Sequence, residues 1–246
     1  MRNILTMVII LMFSVSGYAD TGDVARYEVG GQNYEGFYIS AGKKAPFVFL
    51  LHDWDGVTEY EVKRARMLAD LGYTVFVADL FGTGVRPTRV KDKMAHTGEL
   101  YKDRDKMRGL MVGALKAARS RGADLTNAVA AGYCFGGAAV LELARSGGDF
   151  KGFAVFHGGL KTPDGQDYSK AKAEVLVMHG SADSAVTLDD FAALATELDA
   201  IGIRHEMITY GGAPHAFTVF GGQRYHAEAD KKSWDRFLRF LEEKTQ

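Results

Sequence analysis

Six short strand-like runs, each closing on glycine or on polar residues, limit how this chain can fold. They are "PFVFLL" (46–51), "YTVFVAD" (73–79), "NAVAAG" (127–132), "KGFAVFHG", "AEVLVMHG" and "HEMITYGG". The first three lack a polar alternate face and read as strands covered on both sides, and the last three read as further strands, each ending in Gly. Helical patterns separate most of them. Val62, Ala65, Arg66, Leu68 and Ala69 give an amphipathic stretch from Val57 to Leu71, stopped by Gly72. After the Gly-rich loop "FGTGVRP" (81–87), the polar stretch to about Arg121 has helical character and ends at Gly122. "GAAVLELARSGG", Leu188–Ile201 and a C-terminal segment from Ala227 to Leu241, with Trp234, Phe237, Leu238 and Leu241 at helical spacing, complete the set. Strands alternating with helices predict an α/β fold: a mostly parallel central sheet with helices on both faces. Ahead of it, "VARYEV" and "YEGFYIS" flank a Gly-Gly-Gln-Asn turn, predicting an antiparallel hairpin at the N-terminus.

The first nineteen residues have a separate logic. Arg2 precedes the apolar stretch Ile4–Phe13, and Gly17 and Ala19 supply the small residues of a cleavage site before Asp20. That is the pattern of a secretory signal peptide over 1–19, and the expectation is an exported protein, periplasmic or secreted. The apolar stretch is shorter than the ~20 residues of a spanning helix, so no membrane span is expected in the mature chain. From 20 to 246 no linker or repeat interrupts the sequence, which has only 4 Pro, and a single domain is expected. With 30 Lys and Arg against 31 Asp and Glu, there is no basic field to attract nucleic acid. The one cysteine, Cys134, excludes an internal disulfide and is either buried or reactive.

Its neighbourhood favours reactivity. In open parallel sheets, ligands bind at the carboxyl ends of the strands. There the sequence places "HDWDG" (52–56), "DLFG" (79–82), "GYCFGG" (132–137), "HGSAD" (179–183) and "GGAPHAF" (211–217). Gly132-Tyr133-Cys134-Phe135-Gly136 is a G-x-nucleophile-x-G pentapeptide between a strand and a helix. A strained turn there presents the middle side chain, and glycines on both sides let strand and helix close up. The helix N-terminus favours thiolate over thiol.

Of the seven histidines, His215 is the one on a loop beyond a late strand, free to turn over the sheet edge as a base. His205 falls within a strand. His157 and His179, at strand ends, are expected to bond loop backbone, His52 to shape the first loop, and His96 and His226 to be solvated. Asp183 is the candidate orienting acid, with Asp79 as its rival and Asp189 and Asp190 on a helix face. The order nucleophile, acid, histidine is that of α/β-hydrolases. Oxyanion donors are expected from the backbone N–H groups of Phe135 and Trp54, the indole of Trp54 also walling the pocket.

With "LLHDWDG", "ARMLADLGYTVFVADLFGTG", "GYCFGGAAVLELA", "FHGGL", "VLVMHGSADSAV" and "YGGAPHAF" in this order, the sequence resembles the dienelactone hydrolase family of α/β-hydrolases. The resemblance implies an α/β-hydrolase fold, Cys134 as nucleophile, His215 as base and Asp183 as its partner. It implies that Asp53, in the loop after the early strand, modulates the Cys134 thiol. Family members acting on dienelactones carry an arginine four residues after the histidine; here that position is Val219. Arg86, Arg104 and Arg108 are each available for a substrate carboxylate, and the motif assigns none.

The expected activity is hydrolysis of a small-molecule ester or lactone through a thioester on Cys134, by a monomer or small homo-oligomer, with no cofactor. The histidines show no metal-ligand spacing, so no metal is expected. Two other readings stand beside this one: a hydrolase-like scaffold that binds a small molecule and uses Cys134 as a redox-sensitive thiol, and a structural protein with an inert buried cysteine.

Overall fold

The computed structural model describes residues 22–246. The signal-peptide motif over 1–19 lies outside the described residues. The strands are β1 (Asp23–Val29), β2 (Gln32–Ile39), β3 (Phe47–Leu51), β4 (Thr74–Ala78), β5 (Ala128–Tyr133), β6 (Gly152–Phe156), β7 (Glu174–Gly180) and β8 (His205–Tyr210). The helices are α1 (Glu59–Ala69), α2 (Val90–Lys102), α3 (Arg104–Ser120), α4 (Phe135–Arg145), α5 (Leu188–Ile201) and α6 (Ala227–Thr245).

All eight strands form one sheet in the order β1-β2-β4-β3-β5-β6-β7-β8. The expected hairpin is present, with a tighter turn than the sequence implied. Gly30 and Gly31 both take positive φ (59° and 80°), which matches the two-residue reversal favoured by strand twist. Gln32 and Asn33 therefore already belong to β2, opposite Val29 and Glu28. β2 runs antiparallel to β4, and every pairing from β4 across to β8 is parallel.

Alternate residues of the parallel strands feed two cores. Phe47, Phe49 and Leu51 of β3 pack with Phe153 and Val155 of β6 beneath α3, α4 and α5. Val48 and Leu50 pack with Phe156, Leu176 and Met178 beneath α1 and α6. This two-sided burial is why these strands read as continuous apolar runs.

The chain leaves β3 for β4 on one side and returns to β5 on the other, so the order reverses between β3 and β5. Such a switch point opens a crevice at the carboxyl ends of the strands. Leu51, which ends β3, pairs with Gly132 of β5, so "HDWDG" and "GYCFGG" emerge side by side. Small residues bring α4 close. A side chain at Gly132 would run into the carbonyl of Gly136, and one at Gly136 would lie 2.6 Å from the His52 carbonyl oxygen. Gly136 thus clears the end of β3, a neighbour that the pentapeptide alone does not reveal.

Gly136→Ala is expected to lower stability by about 2 kcal/mol or more, read as a drop in Tm, because backbone surrounds the site. Gly109→Ala, on an exposed turn of α3 with open space around it, is expected to raise stability by about 0.5–1 kcal/mol.

Candidate active site

Cys134 joins β5 to α4 at φ 51° and ψ −112°. Its backbone is fixed on both sides: its N–H donates to the Phe156 carbonyl (3.0 Å), and its carbonyl accepts from Gly137 (3.1 Å) and Ala138 (3.3 Å). The residue is half-buried and its thiol is free of any disulfide. Phe135 is the first residue of α4, so its N–H has no intrahelical acceptor and stands beside the thiol.

Two further loops reach the same point. His215 Nε2 lies 3.1 Å from Cys134 Sγ, and His215 Nδ1 lies 2.7 Å from Asp183 Oδ2. The other carboxylate oxygen of Asp183 accepts from the backbone N–H groups of Ala185 (2.8 Å) and Val186 (2.9 Å). The three side chains picked out by the sequence therefore meet in one continuous hydrogen-bonded series. Burial raises the Asp183 carboxyl, but the bonds from His215 and the two N–H groups outweigh it and hold the acid below its ordinary value. Burial lowers His215, yet the bonds and charges of Asp183 and Cys134 carry it to about 10. A charged imidazolium held by the Asp183 carboxylate is the favoured state of His215 in this geometry.

The rival residues have other work. Asp79 Oδ2 accepts from Glu35 N–H (2.9 Å), and its Oδ1 accepts from Phe81 (2.9 Å) and Gly82 (3.1 Å). It fastens the hairpin and the Gly-rich loop. Asp189 and Asp190 lie in the first turn of α5, where Asp190 completes a capping box with Thr187.

Three expectations for the histidines need correction. His157 Nε2 is bonded to the Thr218 hydroxyl (2.7 Å), a side chain where loop backbone was expected. His96 is half-buried, 5.3 Å from the Phe81 ring. His226 is the N-cap of α6, its Nδ1 accepting from Ala229 N–H (3.2 Å). Helical periodicity shows none of these, because each depends on a partner distant in sequence or on a helix boundary. His179 packs against Phe191, 5.5 Å between ring centres, with the backbone of Val186 in the following loop acting on its ring. His205 lies in β8, and His52 ties the first loop to β4: its Nδ1 meets the Asp53 carbonyl at 2.5 Å and its Nε2 accepts from Leu80 N–H at 3.1 Å.

The arginines divide similarly. Arg86 donates to the carbonyls of Val57, Val85 and Glu35, which fixes it between loops. Arg108 bonds Glu142. Arg104, at the start of α3, lies 4.9 Å from the Tyr101 ring centre and lines a cavity of about 320 Å³ with Tyr101, Ala138, Leu160 and Val186. This cavity adjoins the triad. Val186 also holds Asp183, and the charge of Cys134 adds to burial in pushing the Tyr101 phenol well above its ordinary range. Sequence reading passed over Tyr101 as part of a polar helix. Trp54 is half-buried beside the core, with Lys93 Nζ 5.0 Å from its ring centre.

Asp53 is buried at the end of β3, and its carboxylate accepts from Asp55 N–H (2.8 Å). Burial and then the Asp55 charge push it up to about 6, while Lys93 and His215 pull the other way. Asp53 makes no hydrogen bond to Cys134 or His215 among the described residues; it reaches the triad through its charge. Its backbone N–H donates to Glu61 (3.3 Å), a fully buried carboxyl that helical periodicity alone does not mark. The signal was present as "TEYE", a capping box in which Thr58 and Glu61 satisfy the first turn of α1. No group of three or more His, Cys, Asp or Glu side chains among the described residues is arranged to hold a metal ion.

A switch-point crevice holding nucleophile, acid and histidine in this chain order defines an α/β-hydrolase. The model of the dienelactone hydrolase family matches residues 36–245, and the chain belongs to that family. It is a carboxylic ester hydrolase of the dienelactone hydrolase type. A Yersinia pestis protein provisionally named a carboxymethylenebutenolidase is 26% identical over 204 residues, covering 78% of this chain and 76% of that protein. The solved structure of m3DLH is 29% identical with a TM-score of 0.86, covering 93% of this chain and 100% of that one. A dienelactone hydrolase-like promiscuous phosphotriesterase from metagenomic libraries is 29% identical with a TM-score of 0.85, at the same coverage. Among the described residues no helix is long and apolar enough to cross a membrane.

Burial, then repulsion from Asp53, pushes Glu61 up to about 8. Its folded value lies above its unfolded one, so its contribution to stability is greatest in acid and is lost as pH rises toward 8. Glu61→Gln keeps the cap and removes that titration. Its Tm is expected to fall less than the wild type's between about pH 5 and about pH 8 in paired melts.

Proposed function

We propose that the protein hydrolyses esters or lactones of small molecules through a thioester on Cys134. The observation that carries this reading is the series Asp183–His215–Cys134, with 2.7 Å and 3.1 Å between successive polar atoms. Binding alone requires no such relay.

His215, oriented by Asp183, takes the thiol proton and forms a thiolate–imidazolium pair. The sulfur attacks the substrate carbonyl, and the negative oxygen is received by the N–H groups of Phe135 and Trp54. The imidazolium then protonates the departing alcohol, which in a lactone stays tethered to the acyl group. The neutral His215 next draws a proton from water as it attacks the thioester. Collapse of the second intermediate returns that proton to sulfur and releases the carboxylic acid. Thiolate is expelled readily from such intermediates, so activated esters and lactones are better substrates than amides. The cavity beside Tyr101 is sized for a small acyl group. Val219, in place of the arginine expected of dienelactone-processing members, supports a substrate other than dienelactone itself. The leader motif supports an exported setting.

Cys134→Ala is expected to fold normally and to lose p-nitrophenyl acetate hydrolysis by at least about 1,000-fold in kcat/KM. Retained turnover in that variant would remove the nucleophile. Stoichiometric binding of the ester without turnover by the wild type would favour the binding-protein reading. His215→Ala is expected to slow both turnover and iodoacetamide labelling of Cys134; an unchanged labelling rate and unchanged turnover would remove the base.

A further inference from the structure

Three residues beyond His215, Thr218 is completely buried, an unusual place for a hydroxyl. Its Oγ1 is bonded to two side chains at once: His157 Nε2 at 2.7 Å and the Tyr60 hydroxyl at 2.6 Å. Its carbonyl accepts from Arg64 Nη2 at 2.8 Å. Arg64 is itself buried and paired with Asp230 of α6, and Asp230 accepts from the Tyr225 hydroxyl (3.1 Å). One threonine thus joins the histidine loop to α1, to the end of β6 and, through Arg64, to α6.

The link to His215 is short and stiff. Ala216 takes φ 60°, and Val219 N–H closes the turn onto the Ala216 carbonyl (3.1 Å), so a shift of Thr218 is transmitted to His215. The edge of the His157 ring also meets the His215 ring, 5.4 Å between centres at 64°. His157 holds an uncommon φ of 39° to do so. Burial, followed by the charge of His215, lowers His157 well below the ordinary histidine range, so a neutral ring lies against the imidazolium.

We propose that Thr218 is a positioning residue for the base: its hydroxyl, shared between His157 and Tyr60, fixes the loop that aims His215 Nε2 at the Cys134 thiol. The inference rests on His215 acting as the base. A purely packing role makes a different demand, since valine has the shape of threonine without its hydroxyl. A packing site accepts valine. A positioning site requires the oxygen and accepts serine.

The test compares Thr218→Val, Thr218→Ser, Tyr60→Phe and Cys134→Ala in the full chain, with p-nitrophenyl acetate as substrate and a thermal melt of each variant. Thr218→Val is expected to lower kcat about 10- to 100-fold through a displaced base. KM is expected to stay within about twofold, because substrate contacts are untouched. Thr218→Ser is expected to restore kcat to within about threefold of wild type by returning the hydroxyl. Tyr60→Phe removes one of the two partners and is expected to lower kcat severalfold; it decides the matter if Thr218→Val fails to fold. A folded Thr218→Val with wild-type kcat overturns the proposal, as does loss in Thr218→Val that serine does not restore, or an unchanged kcat in Tyr60→Phe. Activity surviving in Cys134→Ala strikes the triad reading itself, whereas an inactive Cys134→Ala beside a fully active Thr218→Val strikes only the role of Thr218.

Discussion

The site depends on a backbone conformation that cysteine disfavours. Left-handed φ at a non-glycine residue costs on the order of 1–3 kcal/mol and persists only when its surroundings enforce it. At Cys134 the enforcement is local and complete: its N–H is held by β6 and its carbonyl by the first turn of α4. The glycines on either side leave room for strand, helix and the end of β3 to close around it. The turn lifts the sulfur out of the sheet and sets it at a helix start, with the Phe135 N–H next to it. Relaxing that turn would disperse all of these relations together.

The acid and the histidine are coupled to each other before either reaches the thiol. Ser181 N–H donates to the Tyr210 carbonyl (2.9 Å), Ala182 N–H to the Ala213 carbonyl (3.0 Å), and Gly212 N–H to Ser181 Oγ (2.9 Å). The loops after β7 and β8 therefore behave as one stitched unit carrying Asp183 and His215. Around the imidazolium, His157 and His179 are both lowered, mainly by burial, and add no competing positive charge. Asp53 contributes a nearby carboxyl whose own ionisation is opposed by burial. The charge of His215 is thus set by a few neighbours, chiefly Asp183 and Cys134.

Much of this was legible in the sequence because it is encoded locally. Unbroken apolar runs marked the central parallel strands, and glycines two positions on either side of Cys134 marked the elbow. Chain order and loop position singled out Asp183 and His215. What escaped was encoded at long range. Thr218 reads as an ordinary loop threonine until α1 and β6 bring Tyr60 and His157 to it. His157 resembled a backbone-bonding strand end, and the partner that corrects this lies 61 residues away. Gly136 was legible as small, but its neighbour at the end of β3 was not. Glu61 is the exception: its capping-box pattern was present in four consecutive residues and was passed over.

The central claim is that the acyl group passes through Cys134. The direct measurement is rapid acid quench of the wild-type enzyme during turnover of p-nitrophenyl acetate, followed by peptide mass spectrometry. The account predicts a burst of p-nitrophenol and one acetyl group on the peptide containing Cys134, labile to hydroxylamine as a thioester is. A burst with the acetyl group on any other residue, or rapid turnover with the Cys134 peptide unmodified at every quench time, would contradict it.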